Sequence, residues 1–301
     1  MKSVLWSNTP KVIPRIFGGI GNQLFIYAAA RRLALVNNAE LVLDNVSGFV
    51  HDYNYQRHYQ LDHFHIPCRK TTAAERMEPF SRMRRYVKRH LNRYRSFEQS
   101  FYIQQQGRDF EPRLLQVKPQ GTVYLEGYWQ SEKYFKDVEN IIRQELKIQS
   151  PTDDANLSMA VRIRTHIAVA VHVRFFDDGI SNASRDYYKR AINRMEQIVP
   201  DAHYFLFSDR PKVARELIAL PERRITSVEH NQGDEMAYAD LWLMTLCQHF
   251  IIANSTFSWW GAWLSDQNGK QVVAPGFKLN DPRGTTGWNF SGQLPTCWYQ
   301  V

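Results

Sequence analysis

Four short stretches of this chain combine residue types that do chemistry, and each follows or interrupts an apolar run. The first is His172-Val173-Arg174-Phe175-Phe176-Asp177, directly after Ala168-Val169-Ala170-Val171. Side chains alternate faces along an extended strand, so His172 and Arg174 share one face. That face carries two potential cations. Arginine offers a planar fork of donors that fits phosphate oxygens and keeps its charge at any working pH. A histidine satisfied within the core is the competing reading of His172. The second stretch, Phe207-Ser208-Asp209, ends another apolar run. Ser208 or Asp209 can accept from guanine nitrogens there, or can cap a helix that has Pro211 in its first turn.

The third stretch is Asn254-Ser255-Thr256-Phe257-Ser258, between Phe250-Ile251-Ile252-Ala253 and Trp259-Trp260-Gly261-Ala262-Trp263-Leu264. Asn254 or Ser255 is the expected N-cap. The first-turn amides and the hydroxyls of Ser255, Thr256 and Ser258 then point above the sheet, an arrangement suited to phosphate. Three hydroxyls beside an asparagine exceed what one cap needs, whereas Trp259, Trp260 and Trp263 read as core. The fourth stretch, Gly18-Gly19-Ile20-Gly21-Asn22-Gln23, sits where a strand turns into a helix, so backbone and helix amides can approach an anion or a sugar. Gly19 and Gly21 also match the first two glycines of a dinucleotide fingerprint, with Asp44 at the distance of a ribose-binding acid. Leu24 stands at the third glycine and breaks that match.

The elements that must position these residues alternate. Strands are expected over 12–17, 39–43 and 122–125, with helices over 22–36 and 132–146. Farther on, strands 167–173, 203–207, 224–228, 250–253 and 271–274 alternate with helices 184–198, 211–218, 234–248 and 256–264. Such alternation describes an α/β protein with parallel sheets, whose ligands bind beyond the carboxyl ends of the strands. At 301 residues the chain exceeds one ordinary hydrophobic core. The polar, proline-broken run 150–156 places the expected boundary between domains 1–150 and 151–301.

Composition is globular, with 44% hydrophobic and 23% charged residues, which excludes disorder and fibrous states. Cys68, Cys247 and Cys297 form neither a disulfide framework nor a paired-ligand zinc site, so a reducing compartment is expected. Residues 1–10 lack the apolar stretch of a signal peptide, and no run is long enough to span a membrane. Cytoplasmic placement is the expectation. Residues 69–95 hold ten Lys or Arg against Glu75 and Glu78. With Met77, Phe80, Met83, Val87, Leu91 and Tyr94 at steps of three and four, the segment reads as a basic amphipathic helix. It is a candidate for peripheral contact with an anionic membrane, here the inner face, or else a solvated face. Nucleic acid is not expected, since no binding motif accompanies the patch.

Together these stretches resemble glycosyltransferase family 11, the α-1,2-fucosyltransferases, over nearly the whole chain. The resemblance is carried by GGIGNQLFIYA at 18–28, GYWQSEKYF at 127–135, His172 to Asp177, Phe207 to Asp209, and DLWLMTLCQHFIIANSTFSWWGAWL at 240–264. It implies a GT-B fold of two Rossmann-like α/β domains facing across a cleft and an inverting, metal-independent enzyme without cofactor. GDP-fucose would be the donor and a terminal β-galactoside the acceptor. It further implies that Arg174 holds the diphosphate with support from His172, and that Asn22 and the turn at Gly19 and Gly21 meet the donor. Asn254, Ser255 and Thr256, beside Ser258, complete the phosphate cradle, and Asp209 next to Ser208 reads guanine or ribose. The family writes its strand-end motif His-x-Arg-Arg-Gly-Asp-Tyr. This chain keeps His172, Arg174 and Asp177 but has Phe175, Phe176 and Asp178 at the second Arg, the Gly and the Tyr. A non-catalytic glycan- or nucleotide-binding module on the same fold is the alternative. Asp44, His51, His58 and Asp62 are candidate general bases, among which the residues themselves do not choose.

Overall fold

The computed structural model describes residues 9–175, 181–276 and 294–301. The chain divides into two compact units. One comprises residues 1–62 and 66–145; the other comprises 63–65 and 146–301, so the polar run 150–156 lies inside the second.

In the first unit, β1 (Lys11–Pro14), α1 (Ile20–Val36) and β2 (Glu40–Leu43) form the expected βαβ opening. β3 (Arg69–Lys70), α2 (Ser81–Asn92), β4 (Tyr102–Gln104), β5 (Thr122–Glu126) and α3 (Glu139–Glu145) complete it. The five strands run parallel in the order β3-β2-β1-β5-β4. α1 is apolar almost all round, which is why Leu24, Phe25, Tyr27 and Ala28 are fully buried. Its polar exceptions are satisfied: Glu145 at the end of α3 accepts from Tyr27 Oη at 2.6 Å and Arg31 Nη2 at 2.6 Å.

Two expected helices are shorter than the sequence pattern implied. Residues 132–138 form two 3-10 turns before α3, because Phe135, at φ −140°, breaks the helical path while Tyr134 and Phe135 both enter the core. Of the basic segment 69–95 only Ser81–Asn92 is helical. Before it, Arg69 pairs with Glu40 and Glu75, and Arg76 with Glu78, so part of the positive charge is neutralised locally.

The second unit contains α4 (Asp154–Arg164), β6 (Ala168–Val173), α5 (Arg185–Ile198), β7 (His203–Ser208), α6 (Pro211–Leu217) and β8 (Ile225–Val228). α7 (Ala237–Leu246), β9 (His249–Ile251), α8 (Thr256–Leu264), β10 (Val272–Ala274) and β11 (Tyr299–Gln300) follow. Its parallel sheet runs β11-β10-β9-β6-β7-β8. The central strand β6 is buried along its whole length, as a parallel strand covered on both faces should be. Trp259, Trp260 and Trp263 are core side chains of α8.

Candidate active site

Counted in chain order within the second unit, the strands stand 6-5-4-1-2-3, the arrangement of nucleotide-binding α/β folds. The direction of winding reverses between β6 and β9. Connections leave this point to opposite faces of the sheet, so a crevice opens outside the carboxyl ends of these two strands. β6 ends on His172, Val173 and then Arg174, while β9 leads into Asn254, Ser255 and Thr256. Topology therefore brings together the two stretches that sequence chemistry singled out.

At the β6 end, Arg174 Nη1 pairs with Asp209 Oδ2 at 2.9 Å, with side chains 37% and 30% exposed. Asp209 Oδ1 also accepts from the Phe175 amide at 3.3 Å. The register of β6 on β7, Val173 opposite Ser208, runs on to set Arg174 opposite Asp209. Asp209 is thus engaged with the arginine. Neither Asp209 nor Ser208 is the N-cap of α6, where Arg210 stands with Pro211 following; Ser208 Oγ accepts from the Arg210 amide at 3.1 Å.

His172 is buried, with its ring 5.3 Å from that of Phe257 in α8 and its carbonyl accepting from Tyr188 Oη at 3.0 Å. Burial, reinforced by the positive charge of Arg174, holds its pKa down at about 3. The expectation of two cations on this face is corrected: at neutral pH Arg174 carries the charge and His172 is a neutral imidazole. Its Nδ1 is buried without a hydrogen-bond partner among the described residues.

At the β9 end Ser255 is the N-cap of α8, its Oγ accepting from the Phe257 amide at 3.3 Å. Buried Ser258 donates to the Ser255 carbonyl at 3.3 Å. Asn182 Nδ2 donates to the Asn254 carbonyl at 2.8 Å, and Asn254 Oδ1 is buried without a partner among the described residues. Thr256 opens the helix. Beneath them Tyr187 Oη donates to the Ile252 carbonyl at 2.6 Å, fixing the strand end from below. Phe175, at the place of the family's second arginine, is buried in the core, with the Arg210 guanidinium 5.8 Å from its ring. Asp177, with Phe176 and Asp178, lies outside the described residues.

Gly19, Gly21 and Asn22 belong to the first unit. Gly18, at φ +75°, makes the turn into α1, and Gly19 is the helix N-cap without a capping side chain. Asn22 Oδ1 accepts from Gln130 Nε2 at 2.8 Å. Gln23 ties the turn together, donating to the carbonyls of Gly18 and His58, both at 2.8 Å. Asp44 is removed from both of its candidate roles, as ribose ligand and as base. It is buried and accepts from Arg85 Nη2 at 3.0 Å, the Ser47 amide at 3.0 Å and the Ser47 hydroxyl. Asp62 pairs with Lys70 at 2.6 Å, whereas His51 and His58 are exposed.

Sequence reasoning missed a polar cluster in the second unit. Asp240 at the start of α7 accepts from Asn231 Nδ2 at 2.8 Å, and Asn231 bonds Asn156, which Asp153 holds. Burial pushes the Asp240 carboxyl up to about 7. A lone acid opening an apolar helix was its only signal.

The family model for glycosyl transferase family 11 matches residues 67–288. The chain belongs to this family. A curated O-antigen biosynthesis glycosyltransferase, WbnK of Escherichia coli, is 30% identical over 287 residues, 86% of this chain and 91% of that protein. An α-1,2-colitosyltransferase of Escherichia coli is 28% identical over 283 residues, 88% and 91% of the two chains. Among solved structures, a mutant of Arabidopsis thaliana FUT1 in complex with GDP superposes with a TM-score of 0.51 at 13% identity, covering 88% of this chain and 70% of that one. The family 11 chain is accordingly a glycosyltransferase with the two Rossmann-like α/β units of the GT-B fold.

Proposed function

We propose that this family 11 glycosyltransferase transfers L-fucose from GDP-fucose to the 2-hydroxyl of a terminal β-galactoside, with inversion and without a metal. The observation that carries the reading is the pairing, at one topological switch point, of Arg174 with the amide- and hydroxyl-rich start of α8. In such a transfer the acceptor oxygen bonds the anomeric carbon as the bond to the GDP oxygen breaks, and the acceptor proton leaves to solvent or a base. Negative charge gathers on the departing diphosphate. Arg174, held by Asp209 on one nitrogen, presents its remaining donors to that charge, and the first-turn amides of α8 oppose it with the positive end of the helix. Neutral His172 adds a donor or acceptor rather than a charge.

A second reading follows from the colitosyltransferase relative: the sugar is colitose, which lacks one hydroxyl of fucose. The test incubates the protein with GDP-fucose or GDP-colitose and a β-galactoside in the presence of a chelator, following GDP release and product mass. Fucosylated product with chelator present is expected. Product from GDP-colitose alone favours the second sugar, and GDP-sugar binding without product favours a non-catalytic module.

A further inference from the structure

The helix α2 is mounted with its polar side inward. Arg85 reaches the buried Asp44 carboxylate at 3.0 Å, and Lys88 Nζ lies 5.2 Å from the centre of the Phe101 ring. The Arg89 guanidinium lies 5.5 Å from the centre of the Tyr102 ring. Asn92 Oδ1 accepts from the Phe101 amide at 3.0 Å. These residues, spaced by three, one and three, occupy the face toward the sheet.

The apolar stripe therefore points away from the protein. Phe80, Met83, Val87, Leu91 and Tyr94 are 71%, 60%, 47%, 53% and 81% exposed. Surface helices of a globular protein turn such a stripe toward the core, so an outward one is covered by something else. Charge identifies the cover. Arg82, Arg84 and Arg93 stand beside the stripe, no acid occurs between residues 79 and 95, and among the described residues none of these three pairs with a carboxylate. Aromatic and aliphatic side chains rimmed by unpaired arginines match a lipid surface of negative charge, in which rings and aliphatic chains enter the headgroup boundary while guanidinium groups meet phosphates. Two copies of this face would bring like charges together, and nucleic acid offers nothing to Met83, Val87 and Leu91.

We propose that α2 is a membrane-interface helix, docking the first unit on an anionic bilayer through Phe80, Met83, Val87, Leu91 and Tyr94. Because its inward bonds leave this face unused, docking requires no rearrangement of the helix. Flotation of the full chain with vesicles of phosphatidylglycerol and phosphatidylcholine, against vesicles of phosphatidylcholine alone, tests it. Binding to the anionic vesicles and weakening by salt are expected. The triple substitution Arg82→Ser/Arg84→Ser/Arg93→Ser is expected to lower partitioning about a hundredfold, and Val87→Ser/Leu91→Ser about tenfold or more. Both variants keep the wild-type melting temperature and turnover on a soluble acceptor. Equal binding to both vesicle types, failure of the wild type to float, or a solution dimer that the Val87→Ser/Leu91→Ser variant dissolves would overturn the proposal.

Discussion

Two arginine–aspartate pairs stand at the carboxyl edges of the two sheets, and they differ in what surrounds them. Arg85 and Asp44, beside the end of β2, are 10% and 4% exposed, and the carboxylate also receives the Ser47 hydroxyl and amide. Arg174 and Asp209, past the ends of β6 and β7, are 37% and 30% exposed, and the aspartate takes one arginine nitrogen, one amide and, at 3.5 Å, the Ser208 hydroxyl. The first pair is saturated and serves the fold. In the second, donors are left over at the switch point of the sheet. Pairing alone does not mark an arginine as structural; how far its donors and its partner are used up does.

Four measurements bear on this contrast, from the largest expected effect to the smallest. Asp44→Ala leaves the Arg85 cation buried without its carboxylate and should destabilise the chain by about 3–5 kcal/mol in denaturant unfolding. A loss below about 1 kcal/mol would make the pair as dispensable as an exposed one. Arg174→Ala should leave stability within about 1 kcal/mol of wild type, because the pair is partly exposed. Its turnover should fall roughly a hundredfold or more, the scale of about 2.7–4 kcal/mol for a lost preorganised donor. Normal turnover would break the comparison outright.

His172 sharpens it on the acid side. Its folded pKa, about 3, lies below the ordinary histidine value, so the stability from holding a neutral imidazole is complete above about pH 6.5 and is lost as pH falls toward 3. His172→Gln should remove up to about 1.4 kcal/mol of that loss per pH unit, read from unfolding curves between about pH 6 and 4. Smallest is Ser255→Ala. Losing the cap of α8 should lower stability by about 1 kcal/mol and weaken GDP binding in calorimetry, since the same helix start faces the crevice. Unchanged GDP affinity would confine Ser255 to the cap.

Much of the second unit was legible in the sequence. The helix Thr256–Leu264 has an oxygen-bearing residue before a dense apolar run, and β6 is valine and alanine apart from His172, so local chemistry and tertiary burial agree. α4 was hidden because Pro151, Asp153 and Asp154 resemble a linker, although Asp153 caps the helix by accepting from the Asn156 amide at 2.9 Å. β3 and β4, at two and three residues, are too short for any alternation to register. The ion pair of Arg174 with Asp209 depends on the register of β6 on β7, with Val173 opposite Ser208, which no local pattern carries. For α2, periodicity gives a stripe but not its direction. That direction goes with the bond from Arg85 to the buried Asp44 carboxylate, which ties the polar side of the helix inward.

The indole cluster around α8 has a practical consequence. Trp259 lies 5.0 Å from Trp260, 6.0 Å from Trp263 and 5.6 Å from Trp298, ring centre to ring centre. These rings sit on and against the helix whose first turn faces the switch point. The protein thus carries its own optical gauge: coupled indole transitions give a strong near-ultraviolet circular dichroism signal. A nucleotide that tightens or tilts the start of α8 will register in it without any label.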